Sequence, residues 1–316
     1  VNPTTPDISV ILVSWNRRAD LEAALESLSA QRGVSLEIVV ADNGSEDGTL
    51  EMLAARTYPI QVIANSRNLG ACGGKNQGIL AARSEFIAFM DSDAVLLHPD
   101  GLHDLVQRLE EDPQLGAVSG PIYSDREHRN PWVFGIHLTE DLYIEWEKTR
   151  TLFGEADALS TCFMVMRRKA ALEVGGFDPV YFYQHEDLDF FLRLKKLGYR
   201  FEAHPGYPVW HRISQTGRKV GRMFFLHFRE EWRHQYLLIK MKGVRKAVQF
   251  FARNLVDSSG MRAYYVRPIS KKKFFALFVL LPIIMLAISP WIMMQRKKNH
   301  LEALAKKTSL SGTKTT

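Results

Sequence analysis

The apolar run Phe86-Ile87-Ala88-Phe89-Met90 stops directly on Asp91-Ser92-Asp93. Five residues are too few for a helix, and their aromatic and β-branched content suits a buried strand. The two acids then fall where that strand leaves the sheet, and in an open α/β sheet the carboxyl rim is where ligands bind. Carboxylates one residue apart repel unless a cation or a backbone turn separates them. Oxygen ligands of this kind suit Mg²⁺ or Mn²⁺, which complete their shells with water and phosphate oxygens. A turn in which Asp91 and Asp93 merely cap the next segment accounts for the same residues.

The preceding segments repeat the arrangement. Ile8 to Ser14 reads as a strand with Ser14-Trp15-Asn16 as its exit, Ala19 to Ala30 as a helix, and Leu36 to Ala41 as a strand running into Asp42-Asn43-Gly44-Ser45. Thr49 to Arg56 (helix), Ile60 to Ile63 (strand) and Lys75 to Arg83 (helix) lead back to Phe86. Strand, helix, strand in succession predicts a mostly parallel sheet with Ser14, Asn16, Asp42, Asn43, Asp91 and Asp93 on one rim. The Gly-rich stretch Asn65 to Gly78 fits neither the dinucleotide fingerprint nor the P-loop. A flexible turn that offers backbone N–H groups to a phosphate explains Gly70, Gly73 and Gly74, and so does close packing of a helix on a strand.

Further on, Leu102 to Leu109 reads as a helix and Ala117 to Gly120 as a strand, and Tyr123 to Phe153, without clear period, reads as an excursion over the rim. Leu159 to Met166 is a strand followed by a helix to Val174. His185-Glu186-Asp187-Leu188-Asp189 opens a helix whose apolar side is Phe190, Phe191, Leu194 and Leu197. Acids are favoured at a helix start by the macrodipole, but a carboxylate among aromatic rings is also suited to take a proton. Tyr207 to His211 reads as a strand in the same sheet, its terminal histidine either structural or a third metal ligand.

Charge divides the chain. Residues 218–316 carry 21 Lys and Arg against 4 Asp and Glu, and the remainder carries 20 against 31. A basic region attracts an anionic partner, nucleic acid or membrane. An uncharged stretch between basic flanks decides for the membrane: Lys271-Lys272-Lys273, then Phe274 to Met294 without a charge, then Arg296-Lys297-Lys298. The run is long enough for a single span, and a re-entrant or in-plane arrangement is also open because Pro282 and Pro290 would kink or break a spanning helix. A buried core helix is the weakest reading, since no capping or polar face lies along the run. The expected organisation is therefore a catalytic α/β domain over 1–217, basic amphipathic helices over 218–270 and a membrane-associating segment over 271–298. A polar, disordered tail would occupy 299–316. Met223 to Lys242 and Val244 to Leu255 are the amphipathic helices, with Phe224, Phe225, Phe228, Trp232 and Tyr236 as an aromatic face for a membrane or for packing. Two cysteines without ligand spacing point to a reducing compartment, and no basic stretch followed by an apolar core opens the sequence.

Taken together, Ser-Val-Ile-Leu-Val-Ser-Trp-Asn (9–16), Val-Val-Ala-Asp-Asn-Gly-Ser (39–45), Asn-Leu-Gly-Ala-Cys-Gly-Gly-Lys-Asn-Gln-Gly (68–78), Asp-Ser-Asp (91–93), Gly-Gly-Phe-Asp (175–178), His-Glu-Asp-Leu-Asp (185–189) and Trp-His (210–211) resemble glycosyltransferase family 2. These are inverting nucleotide-sugar enzymes of GT-A (Rossmann-like) fold, and the likeness leans to the rhamnosyl- and galactofuranosyltransferase branch. The resemblance implies that Asp42 and Asn43 meet the nucleotide base. It places Ser14, Asn16, Arg67, Gly70, Gly73, Gly74 and Asn76 along the donor, and Asp91 and Ser92 at the ribose. Asp93, Asp91 and His211 would hold Mn²⁺ or Mg²⁺, and Asp187, with Glu186 beside it, would be the catalytic base. It further implies a nucleotide-diphosphate sugar donor, a glycan or lipid-linked acceptor, and a position on the cytoplasmic face of the membrane. Ser160-Thr161-Cys162 departs from the Gly-Ala common in relatives, on the side where the acceptor is expected. Two other classes share parts of the pattern: an inactive membrane-bound scaffold, and a nucleotidyltransferase, for which the first strand lacks the Gly-rich basic loop.

Overall fold

The computed structural model describes residues 5–213, 223–256, 279–295 and 298–311. It divides into two compact units, one of Val1–His137, Ile144–Arg218 and Asn299–Thr316, the other of Leu138–Tyr143 and Lys219–Lys298.

The first unit opens with β1 (Ile8–Ser14), α1 (Arg18–Ser29), β2 (Leu36–Asp42), α2 (Thr49–Ala54), β3 (Ile60–Ala64), α3 (Gly70–Ala81) and β4 (Phe86–Asp91). β1, β2, β3 and β4 are parallel neighbours, and the register sets Ser14 against Asp42 and Val13 against Asp91, so the expected rim forms. β1 is apolar apart from Ser9 and Ser14, and both its faces are covered. Val10 and Leu12 join Leu21, Leu25 and Leu28 of α1 in one core, while Ile11 and Val13 face α3.

β5 (Ala94–Leu96), α4 (Gly101–Glu111), β6 (Leu115–Ser119), β7 (Ile122–Tyr123), β8 (Pro131–Val133), α5 (Trp146–Thr151), β9 (Gly154–Glu155), β10 (Phe163–Arg167), α6 (Arg168–Glu173), α7 (Glu186–Lys196), β11 (Arg200–Ala203) and β12 (Val209–His211) complete the unit's strands. The main sheet has the order β3-β2-β1-β4-β10-β6-β11-β9, and beyond β4 it is mixed: β10 runs antiparallel to both β4 and β6. A second sheet has the order β5-β12-β7-β8. His211 therefore belongs not to the sheet of Asp91, as expected, but to this second one, opposite Ala94. The chain passes from one sheet to the other through Asp91-Ser92-Asp93, which returns the histidine to the acids. The Tyr123–Phe153 excursion contains β8 and α5 and supplies the second sheet's outer strand.

Three expectations need correction. α3 begins at Gly70 rather than Lys75, so Gly70 to Gly78 are helix and only 65–69 are loop, which favours the packing explanation of the glycines over the flexible turn. A Cβ on Gly78 would lie 2.2 Å from Ile11 Cγ2, and one on Gly74 2.7 Å from Val13 Cγ1. These glycines let α3 lie close on β1.

The end of the chain is not a disordered tail either. α12 (His300–Ser311) packs on α3, with Leu301 buried against Gly176. Asn299 caps it by accepting the Glu302 N–H at 3.0 Å, and the Gly175 carbonyl takes the N–H groups of His300 and Leu301. Residues 312–316 lie outside the described residues.

In the second unit, α8 (Met223–Lys242) and α9 (Val244–Val256) stand as expected, and the described part of the apolar run holds two short helices, α10 (Leu281–Ala287) and α11 (Ser289–Gln295), while 274–278 lie outside the described residues. Among the described residues no helix is long and apolar enough to cross a membrane. Pro282 lies in the first turn of α10 and Pro290 in that of α11, where proline starts helices but cannot continue one. Leu281, Met285 and Ile292 are buried with Tyr236, Leu237 and Phe250, whereas Ile283, Ile284, Trp291 and Met294 are exposed. Packing thus claims Tyr236 of the aromatic face. The side chains of Phe224, Phe225 and Phe228, and the basic flanks Lys271–Lys273 and Arg296–Lys297, lie outside the described residues.

Candidate active site

The rim of β4 meets the start of β10. Asp91 donates its N–H to the Cys162 carbonyl at 2.8 Å, so these two residues face each other across the antiparallel pair. Asp93 is buried, bonded by the Arg17 guanidinium from the β1–α1 turn, and its Oδ1 lies 3.4 Å from His211 Nε2. Burial alone would raise the Asp93 carboxyl, but His211 and Arg17 override it and hold the group well below the usual carboxylate range. At Asp91 the balance tips the other way. Desolvation pushes its carboxyl up against the pull of Lys75, and the charge of Asp93 adds to the rise.

His211 packs on Trp132 with ring centroids 4.4 Å apart, and its side chain is 4% exposed. Its Nδ1 has no hydrogen-bond partner, and its Nε2 approaches only the two carboxylates, Asp93 Oδ1 at 3.4 Å and Asp91 Oδ2 at 4.0 Å. A buried imidazole left in that state is a ready ligand for a cation. One oxygen of Asp91, the Cys162 sulfur and a His211 nitrogen all lie within 4.8 Å of one another. The donor set therefore fits a divalent ion.

A second cluster lies on the other side of Cys162. Lys75 of α3 is buried; its ammonium donates to Thr161 Oγ1, lies 3.4 Å from Glu186 Oε1 and sits 5.3 Å from the centre of the Phe177 ring. Thr161 in turn donates its hydroxyl to Asp187 Oδ1 and its N–H to Oδ2. Burial pushes the Glu186 carboxyl up to about 7, with Lys75 opposing and Asp187 adding to the rise. Burial would lower Lys75, but Glu186, Asp187 and Asp91 keep it charged. Phe182, Gln184 and His185 hold left-handed backbone immediately before Glu186. Non-glycine residues persist in that region only where surrounding contacts enforce it, a pattern common at functional sites. Here the Phe182 carbonyl accepts the Cys72 N–H, and Gly70, itself at φ +74°, leaves room for the Phe182 ring.

Residues 9–175 match the model of Glycosyl transferase family 2. The chain belongs to glycosyltransferase family 2. It is 39% identical over 106 residues to the succinoglycan biosynthesis protein ExoO of Rhizobium meliloti, across 33% of this chain and 30% of that one. To the poly-beta-1,6-N-acetyl-D-glucosamine synthase of Staphylococcus aureus it is 25% identical over 222 residues, 66% of this chain and 50% of the other. The chain thus spans half or less of the length of these two curated relatives. In fold it is similar to the mannosyltransferase PcManGT of Pyrobaculum calidifontis, solved with GDP-Man and Mn²⁺, at TM-score 0.56 and 18% identity over 98% of this chain and 81% of that one. The GT-A-like α/β fold is common to both.

Within the family 2 unit the expected site residues separate into two groups. Asp91, Ser92, Asp93, His211, Glu186 and Asp187 gather about Thr161-Cys162. The second group is occupied by the fold itself. Asp42 is buried and braces its own turn, its two oxygens accepting from the Ser45 N–H and hydroxyl. Asn43 donates to the Gly70 carbonyl and accepts from Asn65, tying two rim loops together. Asn76 spends its amide on both backbone groups of Phe177. Gly73 and Gly74 are packing residues of α3, and Asn16 accepts the Glu46 N–H. Arg67 is exposed on the rim, and Ser14 Oγ is buried there without a hydrogen-bond partner.

Sequence reasoning assigned no role to Arg17 and Lys75, and marked Thr161 and Cys162 only as a departure on the acceptor side. Lys75 carried a signal, a cation at the helical spacing of Cys72 and Gly78 that only a buried acid would balance. The others are read only once the sheets are joined.

Proposed function

We propose that the chain is an inverting glycosyltransferase that moves a sugar from a nucleotide-diphosphate donor to a hydroxyl of a glycan or lipid-linked acceptor during polysaccharide assembly. The chemistry in the names of the curated relatives supports that acceptor class, and the motifs favour a UDP- or dTDP-linked rhamnosyl or galactofuranosyl donor. The observation that carries the reading is the approach of Asp187 to the Asp91–Asp93–His211 cluster through adjacent residues Thr161 and Cys162 of one strand end.

Thr161 holds both oxygens of Asp187, which leaves a lone pair on each for the acceptor. Asp187 takes the proton from the acceptor hydroxyl as that oxygen attacks the anomeric carbon, the bond to the diphosphate breaks on the opposite side, and the configuration inverts. Asp91 and His211 would hold a divalent ion, Mn²⁺ or Mg²⁺, which when bound would supply positive charge to the departing diphosphate. Arg17 keeps Asp93 charged beside His211. The test is Asp187→Asn, which removes the base and keeps one side-chain oxygen to accept from Thr161. Turnover is expected to fall at least ~100-fold with donor affinity nearly unchanged; turnover close to wild type would end the assignment.

The second unit fits an in-plane attachment to the cytoplasmic face of an anionic membrane. Ile283, Ile284, Trp291 and Met294 are exposed apolar side chains within a sequence flanked by Lys and Arg. Because α12 belongs to the first unit, cutting the chain at Lys271 would also strip that unit of Leu301. Replacing the four exposed residues with serine is the cleaner test. Release from anionic vesicles in sedimentation is expected, and unchanged sedimentation would remove this surface from the role.

A further inference from the structure

We propose that Cys162 is itself a ligand of the cation, completing with Asp91 and His211 a mixed oxygen, nitrogen and sulfur site that prefers borderline cations such as Co²⁺ and Zn²⁺ to Mg²⁺. The proposal rests on the reading that this recess holds the divalent ion.

Three observations support it. The donor atoms of Asp91, Cys162 and His211 lie within 4.8 Å of one another, and each is placed by backbone pairing rather than by a long side chain. Asp91 and Cys162 are opposed across β4 and β10, and His211 is registered to Ala94, the third residue after Asp91. The His211 imidazole is buried, its Nδ1 lacks a hydrogen-bond partner and its Nε2 meets only carboxylate oxygens, so the recess contains a nitrogen donor that the protein itself does not fully satisfy. Asp93, the acid expected to bind the ion directly, is instead engaged by Arg17 and approached by His211.

The donor set dictates the chemistry. Bonds of roughly 2.3 Å to sulfur and 2.0–2.1 Å to imidazole nitrogen are within reach of three atoms this close after a small contraction. On binding, the S–H bond of Cys162 breaks, a sulfur–metal bond forms, and the proton leaves to solvent. Thiolate and imidazole favour Zn²⁺ and Co²⁺, whereas Mg²⁺ gains little from either.

The test is a Co²⁺ titration of the full chain, with and without UDP, followed by absorption. A thiolate-to-Co²⁺ charge-transfer band is expected in the near ultraviolet, retained in Cys72→Ser and lost in Cys162→Ser. The Cys162→Ser chain should keep weaker visible bands from Co²⁺ on Asp91 and His211, and its preference for Zn²⁺ over Mg²⁺ should narrow by at least ~10-fold. If Cys162→Ser does not fold, Cys72→Ser decides the matter, because Cys162 is then the sole thiol. Visible Co²⁺ bands without a charge-transfer band overturn the sulfur ligand and leave the metal reading standing. No Co²⁺ binding in either condition overturns both.

Discussion

The two acid clusters that flank Thr161-Cys162 are built on opposite terms. Asp93 is buried beside a guanidinium and an imidazole and is held charged, whereas Glu186 is buried beside a single ammonium and phenylalanine rings and is pushed up to about 7. Burial penalises both carboxylates. At Asp93 a guanidinium and an imidazole together outweigh that cost, and at Glu186 one partner shared with Asp187 does not. The first cluster therefore keeps a fixed negative charge, and the second holds a proton that can come and go near neutral pH. Asp187, linked to the second cluster through Thr161, faces the first.

The largest expected effect comes from deleting the ammonium of the second cluster. Lys75→Met leaves Glu186 and Asp187 without their buried counter-charge, and breaking such a pair costs about 3–5 kcal/mol. The loss should be larger at pH 8 than at pH 5.5, where Glu186 carries a proton, and urea unfolding at the two values measures it. An equal loss at both would show that the clusters do not differ as described.

Next is the pH profile itself. Glu186 titrates at about 7 when folded and near its ordinary 4.5 when unfolded. Its stabilising contribution is therefore complete below about 4.5 and is lost as pH rises through about 7. Each tenfold change in proton affinity is roughly 1.4 kcal/mol, so the whole change is on the order of 3 kcal/mol. Glu186→Gln should flatten that slope in thermal unfolding across the window, leaving the contributions of Asp91 and Asp93 in place.

A smaller effect separates packing from ligand binding on the parallel side of the sheet. Gly74→Ala would put a methyl against Val13 and should cost about 1–3 kcal/mol by overpacking, read from the urea midpoint. Donor affinity in the surviving folded fraction should stay within about twofold. A folded variant of full stability that binds donor weakly would return Gly74 to the donor site.

The parallel half of the fold was readable from local pattern. β1, β2 and β4 are apolar runs that end on polar residues, and a crossover between parallel strands has one hand, so Asp91 and Ser14 had to share a rim. The same logic did not show that Asp42 braces its turn through Ser45 or that Asn76 holds the backbone of Phe177, because an acid or amide at a rim looks the same whether it meets a ligand or braces a turn, and neither partner is marked by spacing. The tail was misread although Asn299 and Glu302 stand at the spacing of a helix-capping pair. The polar composition beyond the cap outweighed it, and burial of Leu301 is what makes the helix.

By itself the sequence determined the α/β class, the rim and the two acid motifs, since hydrophobic period and crossover hand are local constraints. Only tertiary structure decided that β10 runs antiparallel into the sheet and that His211 returns from a second sheet. Those placements bring Thr161 and Cys162 between the acids. They depend on contacts between residues dozens of positions apart, where burial and the charge of neighbours, not residue type, decide which carboxyl is charged and which atoms stay unpartnered.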